Sequence, residues 1–195
     1  MGCGKNGTFD IMPELTQWAM LSVHENILQK EINVKLLYGP FIQQWINLFA
    51  KETLIIQLNP ISGHGSWDGK NAFASSYQSD ASPGPIATLT RATIRINKLK
   101  HFWKNVAPVA NKMTSAKGYR FSVGIGEIPW IKQATFSIWD SEEDMKDFAY
   151  KMKEHSEVIK KTRKEKWYSE DMFVRFKVIS VVGEIANFSP VKINH

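Results

Sequence analysis

The chain has 195 residues, 43% hydrophobic and 23% charged, with a formal net charge of +6. That length holds one sizeable core or two small related ones, and those proportions belong to a globular protein rather than a disordered or fibrous one. A single cysteine, Cys3, excludes an intrachain disulfide and a multi-cysteine metal site, and no apolar run approaches the roughly 20 residues that cross a bilayer.

From the N-terminus, MGCGKNGTFD lacks the basic start and apolar centre of a signal peptide, and Asn6 stands where a myristoylation signal wants Ser or Thr. A cytoplasmic location is the expectation. Gln17 to Val23 reads as a strand, Pro40 to Lys51 as a helix with Phe41, Trp45, Leu48 and Phe49 on one face, and Thr53 to Leu58 as a strand rich in branched residues. Asn59 to Pro85 is crowded with Gly, Ser, Pro and Asn and reads as a long loop. Next come a strand over Ile86 to Ile96, a helix capped by Asn97 and running to about Thr114, and strands over Tyr119 to Ile125 and Gln133 to Trp139. Ser141 then caps a helix reaching toward Trp167, with Glu142, Glu143 and Asp144 in its first turn and Lys160 to Lys166 at its basic end, as the macrodipole favours. Met145, Phe148, Met152, His155 and Ile159 form its apolar stripe. Met172 to Val178 is the last strand.

The order βαββαβ predicts an α+β chain with a ferredoxin-like half over residues 86–182. Residues 1–60 echo it as an incomplete related half, 61–85 link the two, and 183–195 form a tail, an arrangement of the dimeric α/β-barrel type.

Several motifs fail on context. Gly2-x-Gly4-x-x-Gly7 matches a dinucleotide fingerprint but lacks the strand that must precede it. Lys117-Gly118-Tyr119-Arg120-Phe121 begins like an RNA-recognition signature, yet Arg120 stands where a small residue belongs. RNA binding stays a rival reading, and nucleic acid is not the expected partner. Of the five histidines, His24, His101 and His195 read as solvent-facing, and His64 as a turn residue with a substrate-side role as the minority option. His155 alone lies on an apolar stripe, either as a satisfied core histidine or as an axial haem ligand. Arg91 and Arg95 share one face of a strand and Arg175 lies on the neighbouring strand. Acidic side chains, solvent or the carboxylates of a porphyrin are the partners open to them.

Four blocks carry a family resemblance: Leu89 to Arg95 (LTRATIR), Gly124 to Trp139 (GIGE with QATFSIW), Phe148 to Arg163 (FAY-x4-H-x3-I-x2-TR) and Trp167 to Phe176. Together with GCGKNGTF and QWA near the N-terminus, they resemble the spheroidene monooxygenase family. The resemblance implies a haem cofactor and insertion of oxygen from O2 into an acyclic carotenoid or similar hydrophobic substrate, with electrons from a ferredoxin-like donor. It also implies a homo-oligomer, and a peripheral contact with a membrane is admitted. On this reading His155 is the metal ligand, and Arg91, Arg95 and Arg175 complete the cofactor-binding set. Members of the family carry a further strand and helix ahead of the segment matching Gly2, so the chain resembles an N-terminally shortened version. The alternative is a non-enzymatic α/β-barrel module that binds a small apolar ligand or serves as a dimerisation unit.

Overall fold

The computed structural model describes residues 2–3, 11–24, 34–73, 77, 83–151, 153–185 and 188. In chain order these form β1 (Gly2–Cys3), β2 (Pro13–Glu14), α1 (Val34–Phe49), β3 (Thr53–Gly65), β4 (Ile86–Ile94), a 3-10 turn (Ile96–Lys98) and α2 (Leu99–Met113). There follow β5 (Tyr119–Ile128), β6 (Lys132–Trp139), α3 (Glu142–Lys146), a π turn (Asp147–Lys151), α4 (Lys153–Glu165) and β7 (Tyr168–Glu184). All seven strands join one sheet in the order β2-β1-β5-β6-β4-β7-β3. Its middle block, β5-β6-β4-β7, is antiparallel throughout and has the ferredoxin-like βαββαβ order expected from the sequence.

The N-terminal segment contributes to both edges of that sheet. Gly2 of β1 pairs with Ile125 of β5 on one side, and β3 runs along β7 from Thr53↔Glu184 to Gly65↔Met172 on the other. The strand expected to end at Leu58 continues to Gly65, well into the predicted loop. Pro60 is tolerated because β3 is an edge strand, where a missing N–H costs no ladder bond, and the register slips beside it. At Gly65 φ is +88°, and a Cβ would run into the Asp171 carbonyl, so only glycine closes the strand there. The strand expected at Gln17 to Val23 is irregular instead. α1 is two helical stretches that meet at Gly39 (φ 84°, ψ 169°), and the second begins at Pro40, where the sequence placed the helix start.

Strand alternation puts even-numbered residues of β4 on one face and odd-numbered ones on the other. The even face carries the helices. Ile94 packs with Phe102, Val106 and Trp167, and Trp139 packs with Met113, Met145 and Phe148. Both indoles are buried yet satisfied: Trp139 Nε1 donates to Ser137 Oγ at 2.9 Å and Trp167 Nε1 to Glu165 Oε2 at 2.7 Å. The odd face holds the largest apolar cluster, with Ala87 and Leu89 of β4 among Phe121, Ile138, Val174 and Phe176. Trp67, Phe73, Tyr77, Ile185 and Phe188, from the loop after β3 and the segment after β7, close over it.

The helix opened by Ser141 has the predicted cap. Ser141 Oγ accepts from the Asp144 N–H at 3.1 Å and donates to Asp144 Oδ2 at 2.7 Å. Its continuation is broken by the π turn, a feature that often accompanies functional sites. No helix among the described residues is long and apolar enough to cross a membrane.

Candidate active site

A sheet face covered by helices should bury its middle. Here it does not. Thr90 is exposed at mid-strand although Leu89 and Arg91 beside it are buried. Directly opposite Thr90 lie Phe173 of β7 and Thr135 of β6, and His64 of β3 pairs with Phe173. Cross-strand partners share a face, so His64, Phe173, Thr90 and Thr135 form a row across the helix-side face, with Gly124 continuing it on β5. The His64 and Phe173 rings are tilted at 32° with centroids 5.7 Å apart.

At the β3 end this row opens into a cleft of about 330 Å³ lined by Ser62, Gly63, His64, Met145, Lys146, Tyr150, Phe173 and Arg175. The volume lies within the usual range for small-molecule sites, about 300–1,000 Å³. Tyr150 comes from the π turn and is exposed. Arg175 stands in the next row, opposite Ser62 and Thr88. Its Nε donates to Ser62 Oγ at 2.8 Å, and its Nη1 pairs with Glu142, which also takes Lys146 Nζ at 2.7 Å. These contacts draw the Glu142 carboxyl below its ordinary value, the hydrogen bond from Lys146 contributing most. Deeper along the same face, Thr88 and Ser137 hydroxyls lie 2.8 Å apart, and the Tyr119 and Ser122 hydroxyls likewise. Burial pushes the Tyr119 phenol up.

Arg91 belongs to the other face. It pairs with Met172, whereas Arg175 pairs with Thr88, so the two guanidiniums point away from each other through the sheet. The Arg91 side chain is fully buried and makes four hydrogen bonds to carboxylates. Nε and Nη2 hold Glu127 in a fork at 2.9 Å each, Nη1 reaches Glu170 at 2.9 Å and Nη2 reaches Asp68 at 3.0 Å. The guanidinium carbon also sits 4.8 Å from the centre of the Trp67 ring. Burial opposes the charge, but Glu127 and Glu170 outweigh it and hold the guanidinium more firmly protonated. Glu170 in turn accepts from Ser66 Oγ at 2.6 Å and the Gly69 N–H at 2.7 Å, which brings its pKa down to about 2. Arg91 therefore latches the 66–70 turn to the sheet, and acidic side chains take the fork that a porphyrin carboxylate was expected to take.

Arg95 lies just past β4, exposed, with Nε donating to the Tyr168 carbonyl at 3.1 Å. The three arginines thus occupy three separate places. The backbone of His155 lies in α4, and its side chain lies outside the described residues. His24 is exposed beside Ser22, His101 is exposed on α2, and His195 lies outside the described residues. Among the described residues no group of three His, Cys, Asp or Glu side chains is arranged to hold a metal ion unaided. Phe121, the ring in the RNA-like motif, is buried in the odd-face core against Phe188. His64 is the site residue that sequence reasoning rated low. Its one signal is the alternation of Ser62 and His64 along a strand disguised by Asn59, Pro60 and two glycines.

Over 191 residues the chain is 31% identical to the spheroidene monooxygenase of Rhodobacter capsulatus, a match covering 97% of this chain and 78% of that protein. With the Rubrivivax gelatinosus spheroidene monooxygenase the identity is 34% over 183 residues, covering 94% and 68%. The chain belongs to the spheroidene monooxygenase family. A third member, from Cereibacter sphaeroides, is 32% identical over 97% of this chain, which spans 58% of that protein's length. No protein-family model matches the chain. Among solved structures, a Fusobacterium nucleatum protein described as a candidate monooxygenase superposes with a TM-score of 0.49 at 10% identity, covering 83% of this chain and 68% of its own. That score is too low to carry an inference.

Proposed function

We propose that this member of the spheroidene monooxygenase family is a haem-dependent monooxygenase acting on an acyclic carotenoid or similar hydrophobic substrate. The observation that carries the proposal is the open trough on the helix side of the sheet, in a chain whose relatives bear that name. Its side chains suit a flat anionic cofactor: a ring at Phe173, an imidazole at His64 and a guanidinium at Arg175. When bound, a haem supplies the activation of O2, with two electrons from a ferredoxin-like donor and two protons, so that one oxygen atom enters a C–H bond and the other leaves as water.

The protein's part is placement. Arg175, already polarised between Ser62 and Glu142, is the proposed partner for a propionate, a role that the buried position of Arg91 opposes. Phe173 and Met145 give the cleft an apolar wall against which a polyene end can lie, and the Thr90 and Thr135 hydroxyls offer hydrogen bonds to a newly introduced oxygen. His155 is the residue that would hold the haem iron, on the strength of the family motif around it, and His64 is the second imidazole to test.

Titration of the purified chain with haemin tests the proposal. The expected result is stoichiometric uptake with an intense Soret band that His155→Ala weakens or shifts, whereas His64→Ala changes it less. A chain that stays colourless in excess haemin overturns the proposal.

A further inference from the structure

Two of the side chains lining the cleft are cations, Arg175 and Lys146, and no Asp or Glu is among the described residues that line it. Their shared counter-ion stands outside. Glu142, the first residue of α3, lines a neighbouring depression together with Glu143 and Asp147. One carboxylate between two cations leaves this edge of the cleft net positive. The two holds on Glu142 differ in kind. Lys146 lies one turn further along the same helix, with its Nζ at 2.7 Å, and its hydrogen bond contributes most to keeping the carboxyl ionised. The pair with Arg175 instead bridges α3 to β7. Arg175 has a second anchor of its own, because Ser62 Oγ on β3 accepts from its Nε at 2.8 Å.

We propose that Glu142 is a displaceable counter-ion, which occupies Arg175 while the cleft is empty and yields it to a ligand carboxylate by falling back on Lys146 alone. The inference rests on the proposed function, since the carboxylate concerned is a propionate of the cofactor. Each group is satisfied in both states. In the empty cleft the Arg175 side chain, only 24% exposed, is spared the cost of a partly buried charge without a partner. With ligand bound, its Nε keeps Ser62, the guanidinium takes the ligand carboxylate, and Glu142 keeps Lys146 and, at 39% exposure, water. One guanidinium–carboxylate pair is thus exchanged for another. The effect on affinity has a definite sign. Because the resident pair must be given up, Glu142 weakens binding of a carboxylate and leaves an uncharged ligand untouched. A residue that served only to orient Arg175 would strengthen carboxylate binding instead.

Quenching of the full chain's tryptophan fluorescence by protoporphyrin IX, compared with its dimethyl ester, tests it. Glu142→Gln should tighten binding of the free acid about fivefold and leave the ester within about twofold of wild type. Glu143→Gln removes the same charge from the exposed neighbouring position and should change free-acid binding by less than about twofold. In an Arg175→Gln background, which itself weakens free-acid binding, Glu142→Gln should have no further effect. Free-acid binding that is unchanged or weaker in Glu142→Gln overturns the inference. So does an equal tightening of acid and ester, an equal effect of Glu143→Gln, or a wild type that binds neither porphyrin. The probe carries no iron, so its binding calls on no axial ligand and the two readings fail separately. Porphyrin binding with the expected Glu142 effect, beside a haemin spectrum that the protein leaves unaltered, would sink the proposed function alone. A normal Soret band with no Glu142 effect would sink this inference alone.

Discussion

Replacing Arg91 by alanine isolates what the buried guanidinium does. Its four hydrogen bonds reach Glu127, Glu170 and Asp68, whose side chains are 25%, 18% and 55% exposed. Removing one partner from a buried ion pair costs about 3–5 kcal/mol because the remaining charge is left uncompensated. The partners here keep contact with water and can rehydrate, so the low end, about 3 kcal/mol, is the expected loss, and the four bonds do not add up independently. Against a total stability of about 5–15 kcal/mol this is large. With a urea slope of about 2 kcal/mol per molar, the unfolding midpoint should fall by about 1.5 M. Arg91→Lys should recover part of the loss, since an ammonium restores the charge without the fork. Haemin affinity of Arg91→Lys, measured where the protein is folded, should match the wild type, because the latch faces away from the trough. A midpoint within about 0.3 M of wild type for Arg91→Ala would refute the latch. A large loss of haemin affinity with the midpoint unchanged would return Arg91 to the cofactor.

Two further outcomes follow from the same geometry. The folded-state pKa of Glu170 is lowered to about 2, chiefly by Ser66 and the Gly69 N–H, so its contribution is complete above the ordinary carboxylate pKa of about 4.3 and is lost as pH falls toward about 2. Trp67 fluorescence and hydrogen exchange at 66–70 should therefore report opening of the turn on acidification below about pH 4, and Glu170→Gln should open it already at neutral pH. Thr90→Trp fills the exposed centre of the trough; haemin uptake should drop at least about tenfold, with stability within about 0.5 kcal/mol of wild type as for other exposed positions. Unimpaired uptake would move the cofactor elsewhere.

The βαββαβ order was legible because each element from Ile86 to Val178 carries its own periodicity, and the Ser141 cap because a short polar side chain precedes an acidic first turn. β3 was only half legible. Asn59, Pro60, Ser62 and Gly63 are loop-forming residues, and the pairing with β7 that overrides them is a tertiary contact no local pattern reports. Trp18, Met20 and Leu21 gave the opposite error, apolar residues mistaken for a strand although no neighbouring strand receives them. The arginines show the limit most plainly. Residue numbers place Arg91 and Arg175 on adjacent strands, but their faces depend on register, and one step of slip would put both on the same face. The π turn leaves the spacing of Met145 and Phe148 intact, so nothing in the sequence announced that Tyr150 would line the cleft.

The pairing of β3 with β7 also sets an order of events during synthesis. The run TLIIQL emerges from the ribosome well ahead of its partners, and Leu54 cannot find its ladder partner Gly183 until the intervening residues 55–182 have been made. Until then a branched, apolar segment waits without a neighbour, the circumstance in which nascent chains associate wrongly. Cells making this protein would be expected to shelter that run with a chaperone, and yields in a foreign host should rise when one is supplied.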